Sequence, residues 1–282
     1  MADSKGEKSF AAWARLYRLA LAPTVLWDVS AGYLLGQILI NQSLATPRWA
    51  SLFDSQRAFQ IAERIRPYQF FFTAITILLI FHGGMALNDW ADRGLDAKAG
   101  RNRPIPKNLI SPRWALLGGL IPIVEAGILA GFFHPEPNWI LALIFLALLY
   151  NLGGSALRRG LGPLLLSLCR SLSFSAGILI LLNPEDLASS SALWAVGGYA
   201  LYVLFLSRMA SKEEEGGHGM NMLPFIGLMA LSPLPFLQMS ESTSWVLICG
   251  WLLLSAWLLY PALPDRHIFW VPERVQAAVR RS

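Results

Sequence analysis

Apolar segments of about 20 residues recur along the 282 residues of this chain, and they constrain its fold more than any other feature. A helix of that length crosses a hydrocarbon core of roughly 30 Å. The composition agrees, because 55% of the residues are hydrophobic, only 15% are charged and the mean hydropathy is +0.46, whereas soluble domains carry roughly 25% charged residues. The sequence therefore excludes a water-soluble globule and predicts an all-α, polytopic membrane protein.

We predict one integral membrane domain over residues 1–282, with about eight transmembrane helices. The predicted spans are residues 16–40, 68–87, 115–133, 138–150, 162–182, 192–207, 222–239 and 244–260. The first span is too long for a cleavable signal peptide and is interrupted by Asp28 and Gly32, so we expect it to stay in the membrane. Residues 41–67 are either a short amphipathic helix on the membrane surface or a solvated connector. Residues 261–282 form a predicted cytoplasmic tail.

Basic residues are distributed unevenly between the two sides of the predicted bundle. With the amino terminus in the cytoplasm, all but five of the 23 Lys and Arg residues fall on the cytoplasmic side. The exceptions are Arg48, Arg57, Arg64 and Arg66 on the opposite side, and Arg170 within a span. Because cytoplasmic loops are enriched in Lys and Arg, we expect both termini in the cytoplasm and a multi-pass location in a bacterial inner membrane. Membrane orientation accounts for the net charge of +5, and nucleic acid is not an expected partner.

Acidic and basic side chains are concentrated where the second predicted span ends. Asn88, Asp92 and Asp96 are spaced by four residues, so on a helix each lies about one turn after the last, with a drift of about 40°. Such oxygen ligands suit Mg²⁺, which is commonly held by one or two carboxylates while substrate phosphates complete its coordination. Basic side chains that can bind the remaining phosphate oxygens follow closely: Arg93, Arg101, Arg103 and Lys107. The pattern predicts a site for Mg²⁺ and a diphosphate.

The alternative interpretation of this segment is a solvated helix end with ordinary salt bridges. Its location argues against that alternative. Carboxylates at the mouth of a bundle of apolar helices are costly unless they face a polar cavity. We therefore expect Asn88, Asp92 and Asp96, which we call the acidic stripe, to face inward and bind a ligand.

The run from Asn88 through Asp96, followed by residues 101–106 (RNRPIP), resembles the first signature of the UbiA superfamily of intramembrane prenyltransferases. The resemblance covers the helical layout over residues 16–260, and it is sharp only over residues 88–106. It implies a helical bundle around a central cavity, Mg²⁺-dependent binding of a prenyl diphosphate, and transfer of the prenyl group to a lipophilic or aromatic acceptor within the membrane.

The resemblance also implies roles for individual residues. Asn88, Asp92 and Asp96 correspond to metal ligands, and Asp92, Asp96 and Arg103 to the residues on which catalysis depends. Asp89 lies about 100° around the helix from Asn88, and we expect it to orient a basic neighbour instead. Further basic and aromatic residues are expected to contact the diphosphate: Arg93, Arg101, Lys107, Tyr150, Arg158, Arg159 and Lys212.

The second signature of the superfamily is weaker in this chain. A pair of aspartates spaced by four is expected after the sixth span, where Ser211 and Glu215 stand in SKEEEGGHG, residues 211–219. A serine hydroxyl is a poorer Mg²⁺ ligand than a carboxylate, so Glu213, Glu214 or Glu215 must compensate if a second metal binds. A charged turn without ligands remains an equal alternative. This segment, together with GPLLLSLCR at residues 162–170, is most similar to the EboC-like branch of the superfamily.

Two alternatives remain open at the level of the whole chain. The family usually has nine spans, so either the bundle closes with eight helices or the chain is shorter than its relatives. Functionally, Ser211 favours a non-catalytic carrier or transporter that binds the isoprenoid without transferring it. An ion-coupled transporter would show inverted repeats, and we find none in the sequence.

Overall fold

The computed structural model describes residues 3–43, 67–189, 191–210, 217–218 and 269–270. Within these ranges the chain is helical apart from turns and one pair of two-residue strands. The helices are α1 (Asp3–Leu16), α2 (Ala22–Ser43), α3 (Pro67–Lys98), α4 (Pro112–Phe133), α5 (Pro137–Leu152), α6 (Gly154–Ile178), α7 (Pro184–Ser189) and α8 (Ser191–Ala210), and a 3-10 turn covers Leu19–Leu21. Strands β1 (Gly217–His218) and β2 (Phe269–Trp270) pair antiparallel.

The predicted spans as far as residue 207 are largely helical, with a turn at residues 17–18 near the start of the first, so the all-α prediction is confirmed. Four stretches in the described ranges are long and apolar enough to cross a membrane: Leu19–Ile40, Pro67–Lys98, Pro112–Phe133 and Ala156–Ile178. Two shorter apolar helices cover Pro137–Leu152 and Ala192–Arg208. The predicted spans 222–239 and 244–260 lie outside the described residues, as do residues 44–66 of the segment between the first two spans.

Helix α3 is longer than the predicted second span, since it runs for 32 residues to Lys98 rather than ending near residue 87. The additional 11 residues extend the same helix by about 16 Å. They carry Asn88, Asp92 and Asp96 on one continuous helix, as the spacing of four predicts.

The chain divides into two compact units. The first comprises Met1–Gly160 and Leu172–Pro184, and the second Leu161–Ser171 and Glu185–Ser282. In the second unit, the Ser167 hydroxyl donates a 2.6 Å hydrogen bond to the Ala200 carbonyl, which joins α6 to α8. The candidate site lies entirely in the first unit.

Small residues let the helices of the first unit approach closely. A Cβ atom added at Gly83 on α3 would lie 2.7 Å from the Gly119 carbonyl oxygen on α4, and one added at Gly119 would lie 2.6 Å from the Leu87 side chain. Membrane helices use small residues in this way because the lipid tails supply no hydrophobic force between helices. The glycines Gly83 and Gly119 therefore allow α3 and α4 to pack closely against each other.

The connection between α3 and α4 folds back onto the helices. Its residues Ile105 and Ile110 are buried in one cluster with Ala12 and Leu16 of α1 and Ala86 of α3. Burial of these side chains fixes the connection in place. Because the same connection carries Arg101 and Arg103, this packing determines where those two guanidinium groups can reach.

Candidate functional site

The site begins at the carboxyl end of α3, where a glycine terminates the helix. Gly100 has φ of +64°, a conformation that glycine adopts without steric cost. The N–H of Arg101 donates to the Asp96 carbonyl at 3.0 Å, and the N–H of Gly100 donates to the Ala97 carbonyl at 3.2 Å. These two bonds are those of a Schellman motif. The turn directs the chain so that the Arg101 side chain meets the carboxylate of Asp96, with Nη1 at 3.2 Å from Oδ1.

Asp89 receives two arginines from different parts of the chain. Nη1 of Arg103, in the α3–α4 connection, lies 2.6 Å from Asp89 Oδ1, and Nη2 of Arg18, between α1 and α2, lies 3.4 Å from the same oxygen. The Asp89 side chain is only 2% exposed, and its Oδ2 is buried without a hydrogen-bond donor among the described residues. Asp89 therefore lies against two basic side chains, in line with the expectation of a basic neighbour.

Asp92 is paired with Arg158, near the start of α6. One guanidinium nitrogen of Arg158 donates to Asp92 Oδ1, and the other donates to the Asn151 carbonyl at 3.0 Å. Both side chains are largely buried, with Arg158 14% and Asp92 19% exposed. Asn151 on α5 packs against Gly84 on α3. A Cβ atom added at Gly84 would lie 2.7 Å from Nδ2 of Asn151. The close contact between α3 and α5 thus places the Asn151 carbonyl beside the acidic stripe.

The three carboxylates do not share one environment. Positions spaced by four drift by about 40° around the helix, so Asp96 lies about 80° from Asn88. Asp89 lies about 100° from Asn88, and Asp96 is therefore within about 20° of Asp89. Asp89 and Asp96 are both 2% exposed and both bind arginines of the α3–α4 connection, whereas Asp92 binds Arg158. The acidic stripe faces the protein interior and its arginines rather than bulk solvent.

The donor set fits a magnesium ion that is shared with a ligand. Asn88 is half-buried, Asp92 is part-buried and Asp96 is buried, and together they offer two carboxylates and an amide oxygen. Among the described residues no group of three His, Cys, Asp or Glu side chains could hold a metal ion by itself. Mg²⁺ characteristically completes its coordination with water and substrate phosphates, so a two-carboxylate set suits it. The guanidinium groups now on Asp92 and Asp96 would have to yield to the metal.

For the other residues predicted to contact the diphosphate, the structure gives contacts for Arg93 and only the exposure of Lys107, Arg159 and Tyr150. Arg93 stacks over the Trp90 ring, with Cζ 4.4 Å from the centroid, and its Nη1 donates to the Trp90 carbonyl at 2.6 Å. Lys107 and Arg159 are exposed, and Tyr150 is half-buried. The predicted second signature lies outside the described residues: Ser211, Lys212, Glu213, Glu214 and Glu215.

Sequence reasoning did not assign Arg18 to the site. It is 71 residues from Asp89 along the chain, and no local spacing connects the two. In the structure its backbone adopts φ of 51° and ψ of 47°, a left-handed conformation that is uncommon for residues other than glycine. The only sequence signal that pointed to it is the basic character of the amino-terminal residues that lead into the first predicted span.

Comparison with known proteins places the chain among prenyltransferases. The profile of the UbiA prenyltransferase family matches residues 58–262. The digeranylgeranylglyceryl phosphate synthase of Methanothrix thermoacetophila is 33% identical to this chain in an alignment 162 residues long, which covers 54% of this chain and 56% of that protein. The chain therefore aligns with a little over half the length of this curated relative.

Two solved structures share the fold. A UbiA homolog from Archaeoglobus fulgidus, bound to DMAPP and Mg²⁺, has a TM-score of 0.65 and 11% identity, covering 96% of this chain and 97% of that one. A digeranylgeranylglyceryl phosphate synthase has a TM-score of 0.61 and 13% identity, covering 96% and 92%. At these identities the likeness is one of fold. Since the family profile covers most of the chain and includes the acidic stripe of α3, this integral membrane protein belongs to the UbiA prenyltransferase family.

Proposed function

We propose that this protein transfers a prenyl group from a prenyl diphosphate to a lipophilic acceptor within the membrane, in a reaction that depends on Mg²⁺. The observation that carries the proposal is the cluster on α3. Three carboxylates within eight residues are largely buried, and each is bound by arginine: Asp89 by Arg18 and Arg103, Asp92 by Arg158, and Asp96 by Arg101. A diphosphate held with a divalent cation needs both kinds of group at one place.

In this proposal the residues divide into metal ligands and phosphate ligands. Asn88, Asp92 and Asp96 would hold Mg²⁺, which when bound neutralises charge on the departing diphosphate. Arg101 and Arg103, which lie in the α3–α4 connection, would donate hydrogen bonds to phosphate oxygens of the substrate. Lys107, Tyr150, Arg158 and Arg159 remain proposed diphosphate contacts, and so do Arg93 and, in the second signature, Lys212. Glu213 and Glu215 remain proposed ligands of a second metal.

The apolar helices supply the other half of the site. A prenyl chain is a hydrocarbon. Its transfer from water into the apolar space among these spans is favourable. The polar cluster at the end of α3 would bind the headgroup while the tail lies among the spans. Exclusion of water from that region protects an allylic cation from hydrolysis.

The names of similar proteins support a phosphate-bearing donor and leave the acceptor open. One relative makes digeranylgeranylglyceryl phosphate, and one structural neighbour binds DMAPP with Mg²⁺. We propose a lipophilic acceptor, either a glyceryl phosphate lipid or an aromatic compound. The EboC-like branch remains our finer proposal for the chain, resting on residues 162–170 and on a glutamate-rich segment outside the described residues.

The test is release of diphosphate by the purified full-length protein in lipid nanodiscs. The substrates are prenyl diphosphates of C10 to C20 with Mg²⁺, offered with each of the two acceptor classes. Asp92→Asn and Asp96→Asn should each lower turnover by about a hundredfold or more, because each removes a charged ligand that acts on the leaving group. The matched control is Glu136→Gln, at the start of α5, which should keep wild-type turnover. Unchanged turnover in both aspartate variants would refute the proposal.

The carrier alternative has a distinct signature in the same preparation. It predicts that prenyl diphosphate binds with Mg²⁺, that neither acceptor is alkylated, and that liposomes containing the protein translocate the ligand. The feature that favours this alternative, Ser211, lies outside the described residues.

A further inference from the structure

We propose that Asp89 is a positioning residue, which fixes Arg18 and Arg103 as a paired site for phosphate oxygens and does not itself bind metal. The inference rests on the proposed function and adds to it a residue, Arg18, that precedes the family-matched segment. It also gives Asp89 a different role from Asn88, its neighbour in the sequence.

The first step is geometric. Asp89 lies about 100° around α3 from Asn88, on the side where the α3–α4 connection packs. Its Oδ1 receives Nη1 of Arg103 at 2.6 Å and Nη2 of Arg18 at 3.4 Å, and its side chain is 2% exposed. A carboxylate that is buried and shared by two guanidinium groups holds them in a fixed relation.

The second step is the charge of this group of three side chains. Two guanidinium groups meet one carboxylate, so one positive charge remains without a partner inside the group. The Arg18 and Arg103 side chains are 32% and 30% exposed, and each guanidinium has five N–H donors, of which Asp89 uses one. Within the part of the chain that the structure describes, these two guanidinium groups donate only to Asp89, so their other donors can bind an anion, and their planar arrangement suits phosphate.

The third step is the backbone around Arg18. Its left-handed conformation, with φ of 51°, persists in a protein only where the surroundings fix it. Here the preceding residue is held twice: the Tyr17 carbonyl accepts from His82 Nδ1 at 2.7 Å, and the Tyr17 hydroxyl donates to the Gly118 carbonyl at 3.1 Å. Leu16 is fully buried in the cluster with Ile105 and Ile110. The chain therefore presents Arg18 to Asp89 in one orientation.

The fourth step relates the pair to the proposed metal ligands. Asp89 is three residues before Asp92, which is about 4.5 Å along the axis of α3. A diphosphate bound to metal at Asn88, Asp92 and Asp96 would have oxygens within reach of both arginines. The pair thus supplies positive charge to phosphate oxygens that the metal leaves free.

The experiment measures two affinities separately in the full-length protein in nanodiscs. Inorganic pyrophosphate binding is measured by calorimetry at saturating Mg²⁺, and divalent-cation binding is measured with Mn²⁺ by electron paramagnetic resonance without pyrophosphate. Asp89→Asn should weaken pyrophosphate binding on the order of tenfold, because the two guanidinium groups repel and separate without the shared anion. It should leave the Mn²⁺ affinity unchanged, whereas Asp92→Asn should abolish Mn²⁺ binding. In turnover, Asp89→Asn should raise KM for the prenyl diphosphate more than it lowers kcat.

A double-mutant cycle separates positioning from a general structural effect. In an Arg18→Gln, Arg103→Gln background, Asp89→Asn should change pyrophosphate affinity by less than about twofold, because the residues through which it acts are gone. Arg15→Gln, three residues before Arg18, is the control for loss of a nearby positive charge and should bind pyrophosphate as the wild type does. The inference is overturned if Asp89→Asn binds pyrophosphate equally or more tightly, if it loses Mn²⁺ as Asp92→Asn does, or if its effect persists in full in the double variant. If instead Asp92→Asn and Asp96→Asn both keep full turnover, the proposed function fails.

Discussion

Arg158 at the start of α6 donates a hydrogen bond to Asp92 on α3, with the two side chains only 14% and 19% exposed. The other donor nitrogen of Arg158 binds the Asn151 carbonyl at 3.0 Å, which fixes the guanidinium from the side of α5. A carboxylate proposed to bind Mg²⁺ therefore already has a cation as its partner. Metal binding must separate this pair.

Arg158→Gln should therefore tighten the binding of Mg²⁺ alone, on the order of tenfold, because it removes both a charge-assisted hydrogen bond and a repelling charge. The same change should weaken binding of prenyl diphosphate, for which Arg158 is a proposed ligand. Mn²⁺ titration with and without pyrophosphate measures both effects. Arg113→Gln, an exposed arginine at the start of α4, should alter neither affinity. Weaker cation binding in Arg158→Gln would contradict the proposed competition.

The turn after α3 gives a second prediction, for two glycines six residues apart. Gly100→Ala places a side chain at φ of +64° and should destabilise the protein by about 1–2 kcal/mol. Gly94→Ala on α3, where a Cβ atom would meet nothing within 4 Å, should stabilise it by about 0.5–1 kcal/mol through helix propensity. Thermal unfolding in one detergent compares the two. Effects of the same sign would show that the Schellman motif does not fix this turn.

The acidic stripe illustrates what could be predicted from the sequence. The spacing of Asn88, Asp92 and Asp96 predicts one helix face and an inward orientation, because helical geometry acts over a few residues. The offset of about 100° between Asp89 and Asn88 follows from the same geometry, and it places Asp89 close to the side of the helix that carries Asp96. Apolar run lengths likewise predict the helices α2 to α6 and α8, but not α1 or the short α7.

The arginine partners could not be assigned in the same way. Arg18 is 71 residues from Asp89, and Arg158 is 66 residues from Asp92. Such pairs arise from how α1, α5 and α6 pack on α3, which no local periodicity encodes. The predicted second span is shorter than α3 because the carboxylates end the apolar run, while the helical backbone continues to Lys98.

The close approach of α3 and α4 gives a third prediction. Gly83→Ala would bring a Cβ atom to 2.7 Å from the Gly119 carbonyl oxygen and 3.0 Å from Ile123 Cγ1, and a backbone oxygen cannot move cheaply. We expect a loss of about 1–3 kcal/mol from overpacking. Gly131→Ala near the end of α4, where a Cβ atom meets nothing within 4 Å, serves as the comparison and should be neutral or slightly stabilising. If the two variants unfold at the same denaturant concentration, the tight α3–α4 contact is not a determinant of stability.

His134, which follows α4, gives a prediction about pH. Its Nδ1 accepts from the Glu136 N–H at 3.0 Å, so the proton lies on Nε2, which donates to the Ala176 carbonyl at 3.2 Å. Burial lowers the pKa of this imidazole below its ordinary value of 6.5, and the hydrogen bond to Ala176 opposes the shift only in part. Since the unfolded chain then takes up the proton first, the stability contributed by neutral His134 is complete above about pH 6.5 and is lost as pH falls through the folded-state pKa.

The melting temperature should accordingly be lower at pH 5 than at pH 7.5. His134→Gln cannot titrate at this position, so the difference between the two pH values should be smaller in that variant. An equal pH dependence in wild type and His134→Gln would assign the effect to other groups.

The most direct test of the central claim is the position of a divalent ion in the structure of the full-length protein with Mn²⁺ and a non-hydrolysable prenyl diphosphate analogue. We predict an anomalous scattering peak within about 2.2 Å of carboxylate oxygens of both Asp92 and Asp96, with Arg158 displaced from Asp92 and the analogue's phosphates beside Arg103. A bound analogue whose metal lies away from α3, with the Asp92–Arg158 pair intact, would contradict the account.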